Sequence, residues 1–301
     1  MSRPDKINFA SFWERPYPIL TVTAAMWGAN AIFGRLAVNE ISPLLLTFLR
    51  WGFVCCFAWF LAGRYLKEYW PVLKPKLLMI TLMGLFGFTG FNAFMYAAAH
   101  RTTAVNISIL QGSQPIMVII GAIFLFGLKI SWHQVAGILL TLVGVATIAF
   151  KGELSTLLTM SFNSGDVFML IASLFYAGYT LALRNKPAVP GLLFFALLTT
   201  TATITSFPLA VYEYATDTII WPTLKGCLIT AGIIIFPSCL AQIFFIRGVE
   251  LIGPPRAGLF INLIPVFGTA FAIIFLHEPF TLMHAFGLAL VLFGIWLAER
   301  K

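Results

Sequence analysis

Asn30, Asn92, Gln111, Gln114, Gln242 and Asn262 are amides set inside long apolar runs, and Trp27, Tyr96, Tyr176 and Tyr179 are aromatic side chains with polar edges in the same runs. Residues of these types bind rather than react. Together they suit a neutral or zwitterionic small molecule with an apolar portion, held by ring surface and a few oriented polar groups. Each amide also has a structural reading, because interhelical hydrogen bonds by Asn and Gln are common and contribute about 1 kcal/mol.

The groups absent from these runs narrow the chemistry further. No Asp or Glu falls in the middle third of any run; Asp166, Glu250 and Glu278 all stand near run ends. An intramembrane carboxylate is the usual counter-ion and proton carrier for a cation, so cationic solutes are disfavoured. Phosphorylated solutes, the alternative substrate class, call for several Lys or Arg to offset phosphate desolvation. Arg50 is the one basic residue clearly inside a run, and it reads as snorkelling or as pairing with Glu40 near the outer surface. His100, His133, His277 and His284 lie near run ends without metal-ligand spacing, and Cys55, Cys56, Cys227 and Cys239 show no CxxC pattern. No catalytic residue, metal or cofactor is expected, and an intramembrane enzyme is a minor alternative. A channel would need a continuous polar stripe, which isolated amides do not form.

The elements that carry these residues must be transmembrane helices. The chain is 60% hydrophobic and 10% charged, with a mean hydropathy of +0.93, whereas soluble domains carry about a quarter charged residues. Windows long enough to cross a core of about 30 Å as helix lie near 18–38, 44–63, 77–98, 104–128, 132–150, 166–184, 191–213, 226–246, 257–276 and 281–298. The first 17 residues are polar and do not read as a cleavable signal peptide. The net charge of +8 does not point to nucleic acid, because fourteen of the nineteen Lys and Arg fall on the side of the N-terminus. The positive-inside rule then puts both termini in the cytoplasm. The expected partners are the bilayer, here the plasma (inner) membrane, and a small-molecule substrate, with a functional monomer. Trp13, Trp70, Trp132 and Trp221 fall near window ends, as interfacial anchors do.

The chain repeats itself. A shift of 150 residues pairs Pro115 with Pro265, Gly137 with Gly287, Gly144 with Gly294 and Asn92 with Gln242; a shift of 149 pairs Trp27 with Tyr176 and Arg35 with Arg184. Residues 1–150 and 151–301 are thus two five-helix units. Arg64, Lys67, Lys74 and Lys76 follow the second window, whereas Glu213 and Asp217 outweigh Lys225 after the seventh. A change of loop sign between equivalent positions is what an inverted-topology repeat requires. The expected fold is therefore an all-α membrane protein of ten transmembrane helices in two inverted five-helix repeats.

Two features locate a site within it. Pro115 and Pro265, central in their windows, remove an N–H and open the helix against the carbonyls of Gln111 and Ile261. Such backbone is tolerated at that depth only against protein or a hydrated cavity, so Gln114 and Asn262 become cavity-facing candidates. Gly137 and Gly144, like Gly287 and Gly294, recur at i and i+7 and make small-residue faces for close packing of the fifth and tenth helices. Gly84, Gly87 and Gly90, with Gly112, suggest where the third and fourth windows could bend.

Trp27-Gly28-Ala29-Asn30, Arg35 and Pro43 through Phe48-Leu49-Arg50 resemble the start of an EamA repeat of the drug/metabolite transporter superfamily. Gly165-Asp166, Ala172 through Ala177 and Arg184 resemble a second start. The resemblance extends to the prolines and the glycine-bearing last helices. The second half also carries the turn glutamate often found in that family, in His277-Glu278-Pro279; the first half has Leu128 at the matching position. The resemblance implies a ten-helix exporter of small metabolites, amino acids foremost, working by alternating access.

Overall fold

The computed structural model describes residues 12–99, 101, 110–111, 113–149, 163–276 and 282–299. These residues are helical almost throughout. α1 (Pro16–Leu36) and α2 (Pro43–Ala62) each start on a proline at the first helical position, where its missing N–H has no partner to lose. A short helix, α3 (Leu66–Leu73), leads into a third long run built of α4 (Leu77–Gly84), a π-helical segment (Leu85–Gly90) and α5 (Phe91–Ala99). α6 (Gln114–Phe126) ends on Gly127, whose left-handed φ of 63° suits glycine, and α7 (Trp132–Ala149) follows.

The second half opens with α8 (Ser164–Ala182) and α9 (Gly191–Ala215). α8 starts on a reciprocal capping box. Asn163 Oδ1 accepts from the Gly165 and Asp166 amides, while Asp166 Oδ2 accepts from the Asn163 amide at 2.9 Å. Asp166 is thus a helix cap, which explains its place at the window's edge. Then come α10 (Leu224–Ile233), a second π-helical segment (Ile234–Leu240) and α11 (Ala241–Ile252). α12 (Pro254–Leu259), a 3₁₀ turn (Phe260–Leu263), α13 (Ile264–Leu276) and α14 (Leu282–Glu299) complete the described chain.

Long helical stretches such as Ser164–Asn185, Gly191–Ala215 and Leu224–Ile252 are long and apolar enough to cross a bilayer, with mean hydropathies of 1.6 to 2.1. Large apolar side chains cover the outer faces: Phe60, Phe124 and Leu282 are more than four-fifths exposed. A water-soluble monomer rarely leaves so much apolar area uncovered. The molecule is an all-helical, multi-span membrane protein.

The packing is reciprocal between the halves. α1 lies against α11 and α13 of the second half, and α8 lies against α5 and α6 of the first. α2 packs on α9, and α7 packs on α14. The α7–α14 contact is backbone-close. A Cβ on Gly137 would sit 2.5 Å from the Gly294 carbonyl, one on Gly294 would sit 2.6 Å from the Gly137 carbonyl, and one on Gly144 would come 2.8 Å from the Gly287 carbonyl.

The glycines of the third run, proposed from their spacing as places to bend, lie against neighbouring helices. A Cβ on Gly84 would meet the Leu198 carbonyl at 2.7 Å, and one on Gly87 would meet Tyr179 at 2.6 Å. They let α4 and its π segment seat against α9 and α8. Gly112 lies outside the described residues. The prolines differ: Pro115 opens a helix, whereas Pro265 lies within the continuous helical run Pro254–Phe275. Pro115 stands in the first turn of α6, and Pro265 is the second residue of α13 just after the 3₁₀ turn. At Pro115 no interior hydrogen bond is forfeited, because the residue lies in the first turn of its helix; at Pro265 the run tightens into the 3₁₀ turn just before the proline.

Candidate functional site

A cavity of about 330 Å³ lies among the central helices. α1 contributes Trp27 and Asn30, and α2 contributes Arg50 and Trp51. The third run supplies Phe91, Asn92 and Met95; Gln114 opens α6 and Gln111 lies three residues before it. The second half adds Tyr176 from α8, Gln242 from α11, and Ile261 and Ile264 from the run beside Pro265. Of the ten residues expected to bind substrate, seven meet here.

The other three stand elsewhere. Asn262 is fully buried and its Nδ2 donates to Thr141 Oγ1 at 2.9 Å, joining the 3₁₀ turn to α7. Tyr179 is buried one turn beyond Tyr176, its ring 5.3 Å from Phe88 and 5.4 Å from Tyr176. Tyr96 belongs to α5, but its side chain lies outside the described residues.

The two π-helical segments set the polar groups of the wall. A π turn widens the helix and loosens its internal hydrogen bonding, so side chains can take carbonyls it releases. Asn92 Nδ2 donates to the Phe88 carbonyl at 2.6 Å, and Trp27 Nε1 donates to the Pro237 carbonyl at 3.2 Å. Ser238 Oγ donates to the Ile233 carbonyl at 2.7 Å. Asn92 and Gln242, paired by the internal repeat, follow immediately after their respective π segments.

Arg50 departs from its expected place. It does not reach Glu40; it is buried, its Nε donates to Ser238 Oγ at 2.9 Å, and its guanidinium lies 4.9 Å from the centre of the Trp51 ring. Glu40 instead accepts from Thr223 and Lys225. The hydrogen bond from Thr223, and then Lys225, hold the Glu40 carboxyl below its usual range. Glu213, expected as a loop charge, is also buried. It accepts from Ser42 Oγ at 2.6 Å and from the Leu45 and Leu44 amides at 2.8 and 3.2 Å. It satisfies the open N–H groups at the start of α2, where the helix dipole favours a negative charge.

The wall retains unused hydrogen-bonding capacity. Gln114 Nε2 is buried with no hydrogen-bond partner, and the Tyr176 hydroxyl and Gln242 Oε1 lie side by side without a hydrogen bond of normal geometry. Buried polar atoms left so are costly unless water or a ligand completes them. An aromatic layer borders the cavity and shares Trp27, Trp51 and Tyr176 with its wall. Trp51 stacks on Phe88 at 4.5 Å, Phe88 meets Tyr179, and Trp27, Tyr176 and Phe245 pack at 5.2 to 5.9 Å. Along α8 the layer's Tyr179 lies on the Arg184 side of the cavity-lining Tyr176. No carboxylate lines the cavity among the described residues, and these residues hold no cluster with metal-binding composition.

Sequence reasoning missed Arg50 and Trp51 as wall residues. The available signal was Arg50 itself, a lone cation inside an apolar window with no acid in that window.

The EamA-like transporter family matches residues 16–150 and again 163–299. The chain is 24% identical over 286 residues to the uncharacterized transporter YetK of Bacillus subtilis, covering 95% of this chain and 87% of that protein. It is 26% identical over 300 residues to an uncharacterized transporter of Archaeoglobus fulgidus, covering 96% and 98%. A solved crystal structure superposes with a TM-score of 0.77 over 93% of this chain and 95% of its own, at 19% identity, a likeness of fold.

Proposed function

Since this chain belongs to the EamA-like transporter family and is a membrane transporter, we propose that it exports small neutral or zwitterionic metabolites, amino acids above all, across the plasma (inner) membrane. The observation that carries this is the wall chemistry of the central cavity, which among the described residues has one buried guanidinium, several amides, a Trp–Tyr face and no lining carboxylate. Arg50 suits a carboxylate by charge and geometry. Trp27 and Tyr176 suit an apolar side chain, and aromatic faces also attract an ammonium. A single cation does not match the several that a phosphorylated solute requires.

The mechanism is alternating access by two inverted five-helix repeats, residues 1–150 and 151–301, with ten crossings and both termini cytoplasmic. In this frame the aromatic layer serves as the cytoplasmic gate. Opening it requires α1 and α8 to move relative to the π segments they pack against. The protein works as a monomer and needs no metal or cofactor.

Efflux from preloaded proteoliposomes across a panel of neutral amino acids tests the reading. Flux of at least one of them, reduced tenfold or more by Gln114→Ala or Tyr176→Ala while the unfolding midpoint holds, is the expected result. Flux of a phosphorylated solute with none for any amino acid would sink the substrate class.

A further inference from the structure

A second opening shares no lining residue with the central cavity. It is a cleft of about 1100 Å³ beside Trp13, at the end of the molecule nearest the N-terminus. Among the described residues, Lys129, Arg184, Lys186, Arg247 and Arg256 line it against one carboxylate, Glu250. Glu250 already bonds Lys186 at 3.0 Å and Arg247 at 3.2 Å. Cations thus outnumber carboxylates among the described lining residues by five to one. Leu128 also lines it. The second half has Glu278 at the matching position, so the departure in the first half keeps a negative charge out of this cleft.

The cleft continues into an apolar groove of about 530 Å³ between α2 and the α10 run, and the two share Phe57, Cys239 and Leu240. Phe53 and Ile235, at half exposure or more, form its outer lips. A basic pocket at headgroup level that opens into an apolar channel along the lipid-facing surface is complementary to one class of molecule. We propose that this surface binds an anionic phospholipid, its phosphate among the cations and one acyl chain in the groove.

The site also spans the two halves. Lys129 and Phe57 belong to the first repeat, whereas Arg184, Lys186, Arg247 and Arg256 belong to the second. A lipid that holds both sides favours whichever conformer brings them together, as they are here. Binding would thus tune the transport cycle without touching the substrate cavity.

Native mass spectrometry of the full-length protein, titrated with phosphatidylglycerol and with phosphatidylcholine of the same acyl chains, tests the proposal. Phosphatidylglycerol should be retained at least tenfold more strongly. The double variant Lys129→Gln/Arg184→Gln should weaken it by about twenty-five-fold, since each cation near an anionic lipid contributes about fivefold. Leu128→Glu should act in the same direction, and Ala231→Trp, which fills the groove without changing charge, should weaken the lipid adduct as well. Should a charge variant fail to fold, Ala231→Trp and the comparison of the two lipids still decide the matter. Equal retention of the two lipids overturns the proposal. So does displacement of phosphatidylglycerol by equimolar glycerol 3-phosphate, or an Ala231→Trp protein that binds as well as wild type; either would reduce the cleft to a site for soluble anions.

Discussion

Arg50 is held by Ser238, which in turn is held by a carbonyl that only a π-helical turn exposes to it. Its charge is presented to the cavity by a relay that crosses from the first repeat to the second. Arg50→Lys keeps the charge but loses the planar fork, so amino acid efflux should fall at least tenfold, and Arg50→Gln further, with KM rising more than kcat falls. Trp27→Phe removes the donor to Pro237 and should raise KM severalfold in the same assay. Glu213 tests a different residue-scale statement. Its buried carboxylate accepts three hydrogen bonds at the start of α2, so Glu213→Ala should lower the unfolding free energy by about 2–3 kcal/mol, read by denaturant titration in detergent. Glu40 carries a pH dependence. Its folded-state pKa is depressed by Thr223 and Lys225, so its contribution is present above the unfolded carboxylate value of about 4.3 and lost as pH falls through the folded value. Thermal melts of wild type and Glu40→Gln should differ at neutral pH and converge in acid.

At the scale of elements, two glycine sets that look alike in sequence do one kind of work at two different places. Those of α7 and α14 let two helices touch backbone to backbone, and those of the third run seat a π-helical segment on α8 and α9. Gly137→Val or Gly294→Val should destabilise the protein by about 1–3 kcal/mol through overpacking. Gly178 lies on an exposed face of α8, with open space for 4 Å around the place a Cβ would take. It is the control: Gly178→Ala should be neutral or stabilise by up to about 1 kcal/mol. Melting midpoints in detergent separate the two outcomes. Helix positions were legible because a run of about 20 apolar residues has one stable form in a bilayer. The π segments were not, because the loss of i→i−4 registry leaves no compositional mark; Leu85–Gly90 and Ile234–Leu240 have little in common as strings. What does recur is the amide just after each.

The whole molecule is two matched halves whose first helices each pack into the other half. If the repeats are inverted, a cysteine introduced at Lys67 and another at Thr218, in a background lacking the four native ones, should react with an impermeant thiol reagent from opposite faces of the membrane. Labelling of both from one side would remove the inversion and the alternating-access scheme with it. By itself the sequence determined the membrane, the repeat, the family resemblance and most of the polar groups that meet in the cavity, since these follow from composition, spacing and the scarcity of charge in apolar windows. Only the tertiary structure decided which way those groups face. Asn262 and Gln242 are both amides in apolar runs, yet one joins the 3₁₀ turn to α7 while the other lines the cavity; Arg50 and Glu213 could each have met water and instead are buried against the opposite repeat. The physical reason is that a helix in lipid can satisfy its own backbone alone, but a buried polar side chain needs a partner on another helix, and which helix that is depends on how the halves interlock.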